Sequence, residues 1–392
     1  MKLLLNTESL RPPLTGIGNY TLNLLGELQA QALASTIDCF DGAAWSTAAQ
    51  TLDRQSAAVS VAPAGQSTNQ DLSTRLRSFV RGLPLAYRMR SAVRNAVFRR
   101  EASKRRAFVY HEPNFILKPH EGPCVATIHD LSFIHYPHFH PAERVAWLNR
   151  ELPRTLARAD YLITDSGIVR QELIDRFGIA SDRVRAIYLG ADQRFQSRDP
   201  RQTAQVLARH GLVHGRYVAF IGTVEPRKGL SVLLDAWEQL PVSLRQAYPL
   251  VIAGAPGWQN ADLLERMQVL QARGEMKYLR FVAADELPFI YSGAAVFTYP
   301  SFYEGFGLPV LEAMASGVPV VCTDGTSMAE FAQGAVSLFE AGRSEALSDA
   351  LKVLLEDEAL RGEFIRKGLV QAGQFSWARC ARETSDVYKL MG

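Results

Sequence analysis

The sequence predicts an α/β protein built from two doubly wound parallel-sheet domains that face a cleft. Three observations carry this. Strand-sized apolar runs alternate with helical patterns along the whole chain. The runs are rich in Val, Ile, Leu and Phe and mostly do not alternate in polarity, as in parallel strands buried on both faces. A polar stretch at Asp192–Arg201, DQRFQSRDPR with no obvious element, divides them into two series.

In the first series, strands are expected at Lys2–Asn6, Ala107–His111, Cys124–Ile128, Tyr161–Thr164 and Val184–Ile187. The second comprises Tyr217–Ile221, Leu250–Ala253, Leu279–Phe281, Ala295–Tyr299 and Pro319–Cys322. Helices are expected at Tyr20–Leu33, Ala142–Ala159, Ile168–Phe177, Ser231–Gln239, Leu347–Glu356 and Ala359–Gly373, with a last one over Phe375–Met391. Pro63, Gly65, Ser67 and Asn69–Ser73 read as a flexible loop. This order of elements gives Rossmann-like units. The domains are residues 1–195 and 196–373, with 374–392 as a terminal helical segment.

With 392 residues, 47% hydrophobic and 21% charged, the chain has enough apolar material for two cores and is not compositionally disordered. No apolar run approaches the roughly 20 residues that span a bilayer. The opening MKLLLNTESL reads as a first strand and not as a signal peptide, which points to the cytoplasm. Four scattered cysteines form no C-x-x-C pair, so they suggest reduced, buried thiols. The net charge of +3 is uneven: Arg75 to Arg106 holds eleven Lys and Arg against Glu101 alone, leaving −7 elsewhere. Leu76, Phe79, Val80, Leu83, Met89, Val93 and Val97 run among these arginines. Two readings fit this stretch equally: a solvated helical face, or docking on an anionic membrane surface at the inner face of the cytoplasmic membrane. Nucleic acid is disfavoured, because the stretch lacks strand-borne stacking aromatics.

The strongest motif is SFYEGFGLPVLEAMASGVPVV, Ser301 to Val321. A strand runs into a glycine loop, Gly305–Phe306–Gly307, whose backbone can approach an anion closely. Leu308–Pro309 opens a helix whose N-terminus suits a phosphate. Glu304 and Glu312 can both face the crevice at the strand ends, where two carboxylates can bind hydroxyls. In FIGTVEPRKGLSVLLDAW, Phe220 to Trp237, a second strand-end loop offers Arg227 and Lys228 to a diphosphate, doing the work of a metal. PPLTGIGNYTLNLL, Pro12 to Leu25, places Gly16 and Gly18 in a tight loop before a helix. ATIHDLSFIHYPHFHP, Ala126 to Pro141, sets His129 and Asp130 at a strand end. Its H-x5-H-x2-H-x-H spacing lies in a Pro- and aromatic-rich loop and does not suit a metal site. No D-x-D occurs in the chain.

These residues closely resemble the E-x7-E signature and accompanying motifs of the GT-B glycosyltransferases of family 4. The resemblance covers essentially the whole chain and is weakest over Phe40–Phe108. It implies that Glu304 contacts the donor sugar and Glu312 the ribose hydroxyls. The backbone of Gly305, Phe306 and Gly307, with Leu308, would lie against sugar and diphosphate. Arg227 and Lys228 would bind the diphosphate, and Gly16 and Gly18 would approach it from the opposite domain. His129 would touch the donor sugar, and VAADELPFIYSGA, beginning at Val282, would pack around the base. The terminal helix would cross back to the N-terminal domain. The implied activity is retaining hexosyl transfer without metal or other cofactor. GIGNY and HDLSFIHYP resemble mannosyl- and rhamnosyltransferases of O-antigen and exopolysaccharide assembly, implying a GDP-sugar donor and a lipid-linked glycan acceptor. The alternatives are a UDP-sugar donor, an epimerase on the same architecture, or a non-catalytic nucleotide-sugar binding subunit.

Overall fold

The computed structural model describes residues 1–11, 14–61, 94–257 and 260–391. The expected loop at Pro63 to Ser73, and the basic stretch from Arg75 to residue 93, lie outside the described residues.

The first sheet has seven strands in the order β3-β2-β1-β4-β5-β6-β7. They are β1 Lys2–Asn6, β2 Thr36–Phe40, β3 Trp45–Thr47, β4 Val109–Glu112, β5 Cys124–Ile128, β6 Tyr161–Thr164 and β7 Val184–Ala186. All neighbours are parallel except β2 and β3. The second sheet is wholly parallel, in the order β10-β9-β8-β11-β12-β13. Its strands are β8 Val218–Ile221, β9 Leu250–Ala253, β10 Met276–Leu279, β11 Val296–Tyr299, β12 Val320–Thr323 and β13 Ser337–Phe339. The central strands β5, β8, β9, β11 and β12 are buried at every position, which is why their sequences do not alternate.

Several expectations are corrected. β2, β3 and β13 did not stand out: β2 carries Asp38 mid-strand, where it pairs with Arg105 at 2.5 Å, and the other two are three-residue edge strands. β10 begins three residues before the expected Leu279–Phe281, and Phe281 is instead 85% exposed beyond its end. The polar Asp192–Arg201 stretch contains a helix start: Asp199 caps the helix Pro200–Arg209, bonding to the amides of Arg201 and Gln202 with Pro200 in the first turn. Gly16 and Gly18 do not form a loop; they are the first and third residues of the helix Gly16–Ala30.

The terminal helix Trp377–Lys389, capped by Ser376, packs on the helix Gly16–Ala30 of the first sheet's layer. Tyr388 reaches the first domain's core, with its hydroxyl 2.6 Å from His111 Nδ1. In the described end of the basic stretch, Phe98 and Ala102 pack in the first domain's core. Arg94 pairs with Glu8, Arg105 with Asp38, and Arg106 with Glu121. All four cysteines are buried and unpaired, and among the described residues no helix is long and apolar enough to cross a membrane.

Candidate active site

β8 and β11 are neighbours, so the loops leaving their C-terminal ends meet. The loop after β8 closes in a short turn, Pro226–Lys228, which presents two cations side by side. The loop after β11 brings Glu304 against them. Lys228 Nζ donates to Glu304 Oε1 at 2.6 Å and to the Tyr299 hydroxyl at 2.8 Å. Arg227 Nη1 lies 3.2 Å from Glu304 Oε2 and donates to the Tyr303 carbonyl at 2.6 Å, while Nη2 reaches Glu225 Oε1 at 3.1 Å. Ser301 Oγ adds a 2.6 Å bond to Glu304 Oε1. Burial alone would raise the Glu304 pKa, but the two cations and these hydrogen bonds hold it down at about 2. Burial and the neighbouring Arg227 lower Lys228, and Glu304 works against them. Arg227 goes up: burial opposes its charge, and Glu304, Asp130 and Glu225 outweigh burial.

The Glu304 loop also touches the other domain. A Cβ added at Gly305 would collide with the His129 carbonyl oxygen, so only glycine permits this approach. Gly307 has φ +106° and immediately precedes the helix Leu308–Ala315, whose first amides have no partner within the helix. Ser327 Oγ holds the loop by donating to the carbonyls of Glu304 at 2.6 Å and Phe306 at 3.0 Å. The Phe306 ring itself is core, stacked on Phe331 with centroids 4.6 Å apart, leaving its backbone at the site.

The His129 side chain is committed elsewhere. Nδ1 shares a 2.7 Å hydrogen bond with Asp165 Oδ2, and Nε2 donates to the Pro113 carbonyl at 2.7 Å. Burial would lower its pKa; Asp165 and the two hydrogen bonds raise it on balance. In this geometry His129 meets the opposite domain through its backbone, and Asp130 is the side chain whose charge acts on Arg227 and Glu304. The other histidines of the stretch have separate partners: His140 meets Ser132 at 2.9 Å, His135 meets Glu172 at 3.3 Å, and the His138 ring packs on Phe139 with centroids 4.2 Å apart. Among the described residues, no group of three or more His, Cys, Asp or Glu could hold a metal ion.

Glu312 lies one turn inside the helix Leu308–Ala315 and accepts a 2.8 Å bond from the Tyr291 hydroxyl. Burial pushes it up to about 7. Val282, half-buried, follows β10 at the same end of the sheet. Gly18 is buried and Gly16 exposed in the first turn of the helix after β1. The structure therefore brings Glu304, Arg227, Lys228, Gly305 and the backbone of His129 together, with Glu312 and Leu308 on the adjoining helix.

Sequence reasoning passed over Tyr299, Ser301, Asp165 and Tyr291, which hold the acidic, basic and imidazole groups in place. Glu330 was also missed. Its carboxylate crosses between domains to accept the amides of Gly167 at 2.7 Å and Ile168 at 2.8 Å, at the start of the helix Gly167–Phe177.

Two family models match: residues 14–195 fit "Glycosyltransferase Family 4" and residues 209–370 fit "Glycosyl transferases group 1". The chain is 35% identical to the O-antigen chain mannosyltransferase B of Escherichia coli over 394 aligned positions, covering 100% of both proteins. This chain belongs to glycosyltransferase family 4. The family 4 transferase is also 30% identical to the serotype-specific mannosyltransferase WbdA of Escherichia coli, over 57% of this chain but 28% of that protein. Its fold is GT-B. The solved structure of WaaG, a glycosyltransferase involved in lipopolysaccharide biosynthesis, superposes with a TM-score of 0.69 at 14% identity, covering 99% of each chain. The Glu304–Arg227–Lys228 cluster of this glycosyltransferase thus sits at the strand-end crevice between its two domains.

Proposed function

We propose that this glycosyltransferase moves mannose, or a rhamnose-type deoxymannose, from a GDP-sugar to a lipid-linked glycan during O-antigen assembly. It does so with retention of configuration and without a metal. The observation that carries the reading is the paired cation site, Arg227 and Lys228, closed by Glu304, in a chain that matches an O-antigen mannosyltransferase from end to end. Two buried cations can bind the diphosphate and stabilise the charge that develops on it as the glycosidic bond breaks. Glu304, held ionised, can accept donor-sugar hydroxyls. Glu312 can accept those of the ribose. The bond from the anomeric carbon to the diphosphate oxygen breaks, the acceptor oxygen bonds on the same face, and the acceptor proton passes to the leaving diphosphate.

The test is transfer from GDP-mannose and GDP-rhamnose, with the UDP-sugars as comparison, to a lipid-linked glycan in excess EDTA. Product NMR reads the anomeric configuration. Retention with GDP-sugars in EDTA is the expected result. Inversion, a metal requirement or exclusive use of UDP-sugars would each contradict the part of the reading it addresses, and binding without transfer or hydrolysis would make the protein a non-catalytic subunit.

A further inference from the structure

The loop that starts at Asp130 and the loop that ends at Glu304 meet in a run of aromatic rings. Tyr136 and Phe139, from the first domain, lie nearly parallel, with centroids 5.6 Å apart and planes 11° apart. Phe302, from the second, adjoins Phe139 at 5.6 Å and Tyr136 at 6.3 Å. All three are half-buried, whereas core rings of β11 such as Phe297 and Tyr299 are at most 1% exposed. The rings therefore keep part of their surface open to solvent where the two domains meet. Polar groups flank them. The Glu172 carboxylate is shared between the Tyr303 hydroxyl at 2.5 Å and His135 Nε2 at 3.3 Å, and the Glu172 and His135 side chains remain 21% and 35% exposed.

A pyranose has an apolar C–H face and a rim of hydroxyls. Aromatic faces beside a fixed carboxylate and an imidazole match both features, and saccharide-sized sites commonly pair apolar walls with a few placed polar groups. The position fits as well. Phe302 and Tyr303 immediately precede Glu304, and the Tyr303 carbonyl is held by Arg227. The cation side of Glu304 suits the diphosphate, which leaves the aromatic side for a neutral sugar.

We propose that Tyr136, Phe139 and Phe302, with Glu172 and His135, form the acceptor subsite and stack against a hexose of the incoming glycan. This rests on the glycosyltransferase reading above. The experiment uses the full chain with GDP-mannose and fluorescently tagged mannotriose. It measures the KM for the trisaccharide, the Kd for GDP by calorimetry, and trisaccharide contact by saturation-transfer NMR. Tyr136→Ala and Phe139→Ala are expected to raise the mannotriose KM roughly three- to tenfold with the GDP Kd unchanged, and Tyr136→Phe to stay near wild type. An unchanged KM would overturn the proposal. So would a parallel loss of GDP affinity, which would make the rings a domain-closure contact. Absence of trisaccharide contact in a wild-type protein that binds GDP would overturn it too. A wild-type protein that binds neither GDP nor any other nucleoside diphosphate would instead remove the transferase reading beneath it.

Discussion

Glu304 and Glu312 are the same residue type eight positions apart, and their surroundings drive them in opposite directions. Two cations hold Glu304 at about 2, so it is ionised at any working pH. Glu312 faces a tyrosine hydroxyl and little compensating charge, with Arg194 and Asp192 acting on it in opposite senses, and it titrates near 7. Its pKa in the fold lies above the ordinary 4.5, so through that window the folded protein keeps a proton the unfolded chain has lost, and this contribution to stability falls as pH rises. A ribose hydroxyl donates best to the ionised form. GDP affinity should therefore rise with pH through about 7, and Glu312→Gln should flatten that rise. Calorimetry of both proteins from pH 5.5 to 8.5 checks it, since the titration of the phosphate cancels in the comparison. His129 and Asp165 form a buried hydrogen-bonded pair 2.7 Å apart. Asp165→Asn weakens this buried partnership and should cost roughly 1–3 kcal/mol in a denaturant titration, read as a lower midpoint.

At the scale of elements, the loop after β11 works because glycine lets two backbones meet. Gly305→Ala places a methyl group on the His129 carbonyl oxygen, so the two backbones must shift apart there. Transfer should fall at least a hundredfold while the melting temperature changes little, and stability close to wild type with full activity would contradict the contact's importance. Much of this element was legible in the sequence, because strand, glycine turn, Pro at the helix start and paired glutamates are all local signals. The partners were not. Tyr291 comes from the helix Leu287–Ser292 and Asp165 follows β6, while Tyr299 ends β11 itself, and nothing in their own neighbourhoods marks them. The Asp199–Pro200 helix start was readable as a capping box, but its polar surroundings resemble a linker. Gly16 and Gly18 carry a loop-like pattern, yet Gly18 is buried in a helix whose first turn packs against Ser9 and Leu14.

For the whole molecule, the two sheets are joined by more than the linker. The terminal helix ties the second half of the chain to the first through Tyr388 and His111. Glu330 grips the N-terminus of the helix Gly167–Phe177, where a carboxylate also meets the helix dipole. The same carboxylate accepts the Tyr188 hydroxyl at 2.5 Å. Hydrogen bonds to a charged group are worth about 1.5–3 kcal/mol each. Glu330→Ala should therefore loosen closure, seen as a larger radius of gyration in solution scattering and a weaker GDP-induced compaction. An unchanged scattering curve would mean that Glu330 does not set the domain arrangement.

The central claim is that Arg227 and Lys228 form a nucleoside-diphosphate site. The direct measurement is thermal stabilisation of the wild type and of Lys228→Ala by GDP and UDP, with EDTA present. Stabilisation of the wild type by GDP, about 2.7 kcal/mol at a hundredfold excess over Kd, with most of it lost in Lys228→Ala, is the predicted result. Equal stabilisation of both proteins, or none by either nucleotide, would contradict it.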